Sequence, residues 1–306
     1  MQFPESKTLL AILWGVGFSL VVLSLFIITR QYDSFAPSND TYLNVIKKSE
    51  ILSQMHLNLH KSIEMEKSAV MALNDDESQN YADQSRASSA AVEKDLLRIQ
   101  SQVDATSLQD EKKLVDEFTS CWVKFRKLDQ IILELAVQNT NLKAVTLSQG
   151  KGVEAVQRFE FALKDVMRSN LQTPKEDQVN GSAWHAIAAC LEILNMHNSH
   201  IAEISNEKMD LIEMQIKAAE KEVESCLEEL VGIADTENQD VLLQAKTAFS
   251  EFMTVTARVQ ELSRENSNAK SLELSLGKKR MISAECAEVL AAFQNVVRNR
   301  PFKAAR

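Results

Sequence analysis

The sequence is short of the residues that interrupt helices. Its 306 residues include only 7 glycines and 4 prolines, the two types that cost most inside a helix. That scarcity, beside plentiful Leu, Ala, Glu, Gln and Lys, argues for helix over sheet. Positive charge is also in short supply. The 34 Lys and Arg against 43 Asp and Glu leave a net charge of −9, which excludes the basic footprint of a nucleic-acid binder. Cysteine is sparse, at positions 121, 190, 226 and 286. None forms a CxxC pair, which excludes a zinc ribbon or thioredoxin-like motif. Each cysteine lies in an apolar helical stretch, such as Phe118-Thr-Ser-Cys121-Trp122. Two readings stay open for them: buried free thiols, or a cross-helix disulfide in an oxidising compartment.

What is present is ordinary in bulk, 45% hydrophobic and 25% charged, in a chain long enough for about two domains. One long apolar run stands out. Thr8 to Thr29 carries no charge between Lys7 and Arg30 and, as a helix of about 33 Å, would cross a bilayer. A cleaved signal peptide has a shorter apolar region and a small-residue cleavage site, so residues 8–29 are expected to be an uncleaved transmembrane helix. Residues 1–7 are expected to form its cytoplasmic tail. One cation flanks each end, so the positive-inside rule barely chooses an orientation. No other stretch of these 306 residues has the character of a span, and a single-pass protein is expected.

Self-comparison exposes a repeat. Residues 134–151 (ELAVQNTNLKAVTLSQGK) align with 261–278 (ELSRENSNAKSLELSLGK) at an offset of 127, including Asn139/Asn266, Asn141/Asn268 and Gly150/Gly277. Upstream, Met55-His56 matches Met196-His197 and Glu66-Lys67 matches Glu207-Lys208, at an offset of 141. The second copy is thus expected to lack 14 residues, a heptad from each arm of its first hairpin.

Each copy reads as four amphipathic helices. Pro37-Ser-Asn-Asp40 is a break and a cap. A helix follows over about 41–73, with Val45, Leu52, Leu59 and Leu73 at sevens. Asn74-Asp-Asp-Glu77 turns the chain into a second helix ending near Val103. The third carries Leu114, Phe118, Trp122, Phe125, Leu128, Ile132 and Leu135 at spacings of three and four, a bundle-core stripe. Asn139-Thr-Asn141 reads as a hairpin turn into the fourth. Residues 171–182, with Pro174, form a linker, and Ser182 caps the next helix. Whether the first two helices of copy two are separate or continuous stays open. The fold class is therefore all-α: a transmembrane helix, then two tandem antiparallel four-helix bundles at 38–170 and 183–298, and a C-terminal tail at 299–306.

A membrane helix leading into long amphipathic helices, with Glu134-Leu-Ala before Asn139-Thr-Asn141-Leu-Lys143-Ala, resembles the four-helix-bundle sensor domain of bacterial methyl-accepting chemotaxis proteins. The likeness covers about 8–170 and again about 183–298. It implies a membrane-anchored sensory or ligand-binding module of the bacterial inner membrane, with its bulk in the periplasm. It also implies a homodimer or a membrane signalling protein as partner, and a possible small-molecule ligand. The sequence departs from a full receptor in holding no second apolar span, no HAMP domain and no methyl-accepting hairpin, so signalling is expected to run through a partner. The alternative is a structural helical scaffold for a membrane or coiled-coil protein, without a small ligand.

No catalytic, cofactor or metal residue is assigned. His56/His60 and His197/His200 have spacings that can hold transition metals on a helix, yet no Glu-x-x-His completes a di-iron pattern, and polar or surface histidines are expected. Glu66-Lys67 and Glu93-Lys94 read as solvated bundle edges. Gly150-Lys-Gly152 lacks the phosphate-loop pattern and a preceding strand. No Ser-His-Asp or Cys-His arrangement follows from spacing, and no enzymatic activity is expected.

Overall fold

Period-3.6 apolar stripes and few breakers fold into long helices. The computed structural model describes residue 24 and residues 39–106, 108–233 and 238–303. The order is α1 (Asn39–Met71), α2 (Asp75–Thr106), α3 (Gln109–Gln138), α4 (Thr140–Leu147), π1 (Ser148–Gly152), α5 (Val153–Ser169), α6 (Glu176–Ala202), α7 (Asn206–Ile233), α8 (Gln239–Glu265), α9 (Ser267–Leu274), π2 (Ser275–Lys279) and α10 (Arg280–Lys303). The described residues contain no strand. The expected transmembrane helix at 8–29 and the Pro37 break lie outside them. Among the described residues no helix is long and apolar enough to cross a membrane.

Local chemistry explains the ends. Asn74 accepts the Glu77 N–H at 2.8 Å, and Asp75, Asp76 and Glu77 place negative charge on the positive end of α2. Leu73 lies past the end of α1 and is exposed. The first two helices of copy two are separate. Glu203 accepts the N–H groups of Ile204 and Ser205 at 2.9 Å in the turn between α6 and α7. The linker is shorter than the expected 171–182, because α6 already begins at Glu176. Val179 is fully buried in the core, and the Glu176 carboxylate accepts the Gln172 N–H at 2.7 Å. Ser182 therefore lies inside α6 and donates to Glu229 at 2.8 Å.

Two compact units divide the chain, one within Met1–Lys61, Ser88–Val123 and Ala284–Arg306, the other within Ser62–Ala87 and Lys124–Ser283. In the first, α1, α2, α3 and α10 come together. Lys48 pairs with Glu111 in the interior. Arg300 reaches Asp110 at 2.6 Å and Glu111 at 3.1 Å, and Cys121 is joined to Cys286 by a disulfide with Cα atoms 5.6 Å apart. That settles the cysteine alternatives: this pair is bonded, while Cys190 and Cys226 are free.

The second unit holds the main core. Val156, Phe159, Leu163 and Val166 of α5 pack with Ile187 and Ile193 of α6, Val223 and Leu227 of α7, and Phe249 and Phe252 of α8. The last helical run of copy one thus packs with the first three helices of copy two. In return π2, from the last run of copy two, packs on α1 and α3, where Lys279 meets Glu66 and Asp129. This corrects the expected bundles at 38–170 and 183–298: each copy contributes its fourth run to the other copy's helices. The reason lies at Asn139 and Asn266. Each is one left-handed residue, φ 52°, between helices. Reversing a chain takes a loop of about 2–5 residues; one residue only bends it. The hairpin read at Asn139-Thr-Asn141 is therefore a kink, after which Ala144 packs against Val259 and Leu262 of α8.

The two kinks clasp one another. Thr140 N–H donates to Ser267 Oγ at 3.1 Å and Ser267 N–H to Thr140 Oγ1 at 3.0 Å. Asn141 N–H donates to Asn268 Oδ1 at 3.1 Å and Asn268 N–H to Asn141 Oδ1 at 3.3 Å. The repeated Asn-x-Asn thus supplies a reciprocal hydrogen-bonded seam that satisfies helix N-termini.

Candidate functional site: two paired polar layers

The repeat brings two polar layers into the second unit. The register comes from the turns: α1 and α6 end at 71 and 202, and α2 and α7 start at 75 and 206, an offset of 131. Spatially, Glu66 therefore matches His197, and the expected pairing of His56 with His197 at 141 does not hold. Nor does a heptad per arm: α2 has 32 residues and α7 has 28, about one helical turn fewer, which keeps the apolar face in place. Beyond the hairpin the offset of 127 matches Phe125 with Phe252, Asp129 with Thr256, Ser148 with Ser275 and Gly152 with Lys279.

One layer is charged. Lys279 Nζ lies 2.5 Å from Asp129 Oδ1, 3.9 Å from Glu66 Oε2 and 3.7 Å above the centre of the Phe125 ring. The Lys279, Asp129 and Glu66 side chains are 1%, 0% and 0% exposed. Arg126 approaches Asp129 from the rim at 3.2 Å. Burial raises the Glu66 carboxyl above its ordinary range, opposed by Lys279 and Ser275 and aided by Asp129. Burial lowers the Lys279 ammonium, with Asp129 and Glu66 pulling it back.

Its counterpart is neutral. His197 Nδ1 lies 2.9 Å from Ser148 Oγ and Nε2 lies 3.0 Å from Thr256 Oγ1. Thr256 donates its own proton to the Phe252 carbonyl at 2.9 Å, so His197 Nε2–H donates to Thr256 and Nδ1 accepts from Ser148. The His197 ring packs on Phe252 at 5.5 Å between centroids. Burial, helped by His200, lowers His197 to about 4, so the ring is neutral at pH 7. Ser148, His197 and Thr256 are all buried, closed to a substrate.

In both copies a π-helical segment delivers these groups. Ser148 opens π1, and Ser275 and Lys279 open and close π2. Such segments widen the helix by one residue and recur at functional sites.

The other singled-out residues are dispersed. His56 and His60 face each other on exposed α1, Nε2 to Nε2 2.9 Å. No group of three or more metal-ligating side chains exists among the described residues, and two ligands fall short of the three or four a zinc site uses. His200 is buried against Glu213 at 2.9 Å. Glu213 also receives Arg264 at 2.7 Å, which holds its carboxyl below the usual range. Glu66 is not the solvated edge it was read as. Sequence reasoning also missed Asp129, Lys279, Ser148 and Thr256. A signal was available: Asp129 lies between Phe125 and Ile132 on the α3 core stripe, at spacings of four and three.

Two open grooves mark the surface of the second unit. One, about 400 Å³, lies between α7 and α8 and is lined by Glu220, Glu224, Glu228, Lys246, Phe249 and Met253. The other, about 480 Å³, lies between α5 and α8 and includes Arg158, Phe161, Asp165 and Leu243. Both volumes suit a small molecule.

The described residues form an all-helical fold in which kinked helices pack in four-helix layers. The model of the four helix bundle sensory module for signal transduction matches residues 7–183, more than half of the chain. The chain belongs to that family. One solved structure, titled as the TorS sensor domain–TorT complex in the presence of TMAO, is similar over 83% of this chain and 99% of that chain, at 12% identity and a TM-score of 0.48. A search of curated proteins finds no match.

Proposed function

We propose that this chain is a sensory module of the bacterial periplasm, anchored in the inner membrane through residues 8–29, that binds a small molecule or partner protein and passes the signal to a membrane partner. Its membership of the sensory-module family carries the reading. The Cys121–Cys286 disulfide supports it, because disulfides persist in oxidising compartments. In this reading the α7–α8 and α5–α8 grooves are where a small ligand sits. A homodimer or a signalling protein covers α1, where Tyr42, Leu43 and Ile46 are exposed. No reaction, cofactor or nucleic acid enters it.

The test is thermal unfolding of the purified chain with amino acids, organic acids and transition metals. A ligand at about 100 times its Kd adds about 2.7 kcal/mol and raises the Tm by several degrees. The second reading is a helical scaffold without a small ligand, favoured by the same exposed apolar side chains of α1. No Tm shift with any compound, together with a stoichiometric coiled-coil partner crosslinked in membranes, would replace the first reading with it. A reporter fused to the C-terminus tests the side: a reporter active only in the cytoplasm would overturn the periplasmic placement.

A further inference from the structure

The charged layer contains two enclosed carboxylates and treats them unequally. Asp129 takes both close cations, Lys279 at 2.5 Å and Arg126 at 3.2 Å. Glu66 has neither. Its nearest ammonium is the same Lys279 at 3.9 Å, and neither oxygen accepts a well-formed hydrogen bond, the Ser275 hydroxyl being the one polar neighbour that favours its charge besides the lysines. Counting Arg126, the four charges balance, but Arg126 is about a third exposed and bonds Asp129. A fully buried carboxylate whose support is one serine hydroxyl and an ammonium shared with a closer carboxylate is costly in ionised form; with a proton it is merely a buried polar group. The repeat agrees, since the matching position holds His197, neutral in its own layer.

We infer that the enclosed Glu66 is a proton-binding site at the junction of α1, α3 and π2 that empties as the pH rises. The groups acting on it are Lys67 on α1, Asp129 on α3, and Ser275 and Lys279 on π2; Arg126 of α3 acts on Lys279. One turn away along α1, Ser62 meets Ser85 of α2 at 3.2 Å. Proton loss sets Glu66 and Asp129 in competition for one ammonium, and Lys279 is the last residue of π2. The site therefore couples pH to the seating of the helical run that copy two contributes to the first three helices. Its use as a sensory input rests on the proposed function; the site itself does not.

The sign follows from burial. The folded chain holds the Glu66 proton more tightly than the unfolded chain, so this contribution to stability is complete below the ordinary value of 4.5 and is lost as pH rises through the raised folded value. The experiment compares thermal unfolding of the full chain and of Glu66→Gln from about pH 4.5 to about pH 9. Glu66→Gln, a neutral isostere, should lose this part of the decline and exceed the parent Tm by about 2–4 °C at the alkaline end. Infrared spectra recorded from about pH 4.5 to about pH 9 should keep a protonated-carboxyl band to higher pH in the parent than in Glu66→Gln. Superimposable pH profiles, an alkaline Tm below the parent's, or an unchanged carboxyl band would each overturn the assignment. A ligand screen that failed would leave these outcomes untouched, so the two proposals fail separately.

Discussion

The two polar layers are the same construction filled in two ways. Each places a side chain from the end of a first helix, Glu66 or His197, beside a π-segment serine, a third-helix polar residue and a conserved-in-place phenylalanine, Phe125 or Phe252. In one layer Lys279 adds a charge and Asp129 answers it; in the other Gly152 and Thr256 occupy those positions and neutral hydrogen bonds suffice. The lesson is that one buried framework holds either a neutral, hydrogen-bonded set of groups or a charged one. Charge makes one layer responsive to alkali, and a neutral imidazole makes the other responsive to acid.

The largest expected effect breaks the charged layer. Lys279→Ala leaves the enclosed Asp129 carboxylate with only Arg126 at the rim and should cost about 3–5 kcal/mol, read from urea unfolding near pH 7. A cost below about 1 kcal/mol would mean that the layer is wet and the contrast with its neutral partner is unreal.

Acid should expose the neutral layer next. His197 titrates at about 4 in the fold and at 6.5 unfolded, so its contribution is complete above 6.5 and lost as pH falls toward 4. The loss is on the order of 3 kcal/mol. His197→Gln should flatten that acid limb in unfolding curves while leaving the alkaline decline assigned to Glu66. If both limbs vanish together, the layers are not independent.

The π-segment serines sharpen the contrast. Ser148→Ala orphans His197 Nδ1 and should cost about 1–3 kcal/mol. Ser275→Ala removes a group that favours ionised Glu66, so its main effect should be a further upward shift in the Glu66 titration, read by infrared against pH. The smallest effect is a gain. A Cβ on Gly152 would meet Leu147, Val255 and Leu194 at ordinary distances of 3.6–3.8 Å, so Gly152→Ala should add about 0.5–1 kcal/mol in thermal unfolding.

Helix positions were legible because periodicity and caps are local. The α3 stripe foretold buried Phe118, Trp122, Phe125 and Ile132, and Asn74 foretold its cap. The repeat was legible through Asn139-Thr-Asn141 and its match at 266–268. Its meaning was not, because a hairpin and a kink share the same asparagine, and only backbone geometry separates them. Glu66 was misread since an acid beside a lysine normally faces water, and the partners that bury it lie 63 and 213 residues away in sequence.

By itself the sequence determined the helical class, most helix boundaries of the first copy to within a few residues and the internal repeat, all of which follow from near-neighbour chemistry. Tertiary structure decided which helices share a core, which cysteines pair and which ionisable groups lose water. A single left-handed residue at each kink carries the chain onward where a loop would have turned it back. The fourth run of each copy therefore buries its apolar face against the other copy's helices, and with it come the groups that make one layer charged and the other neutral.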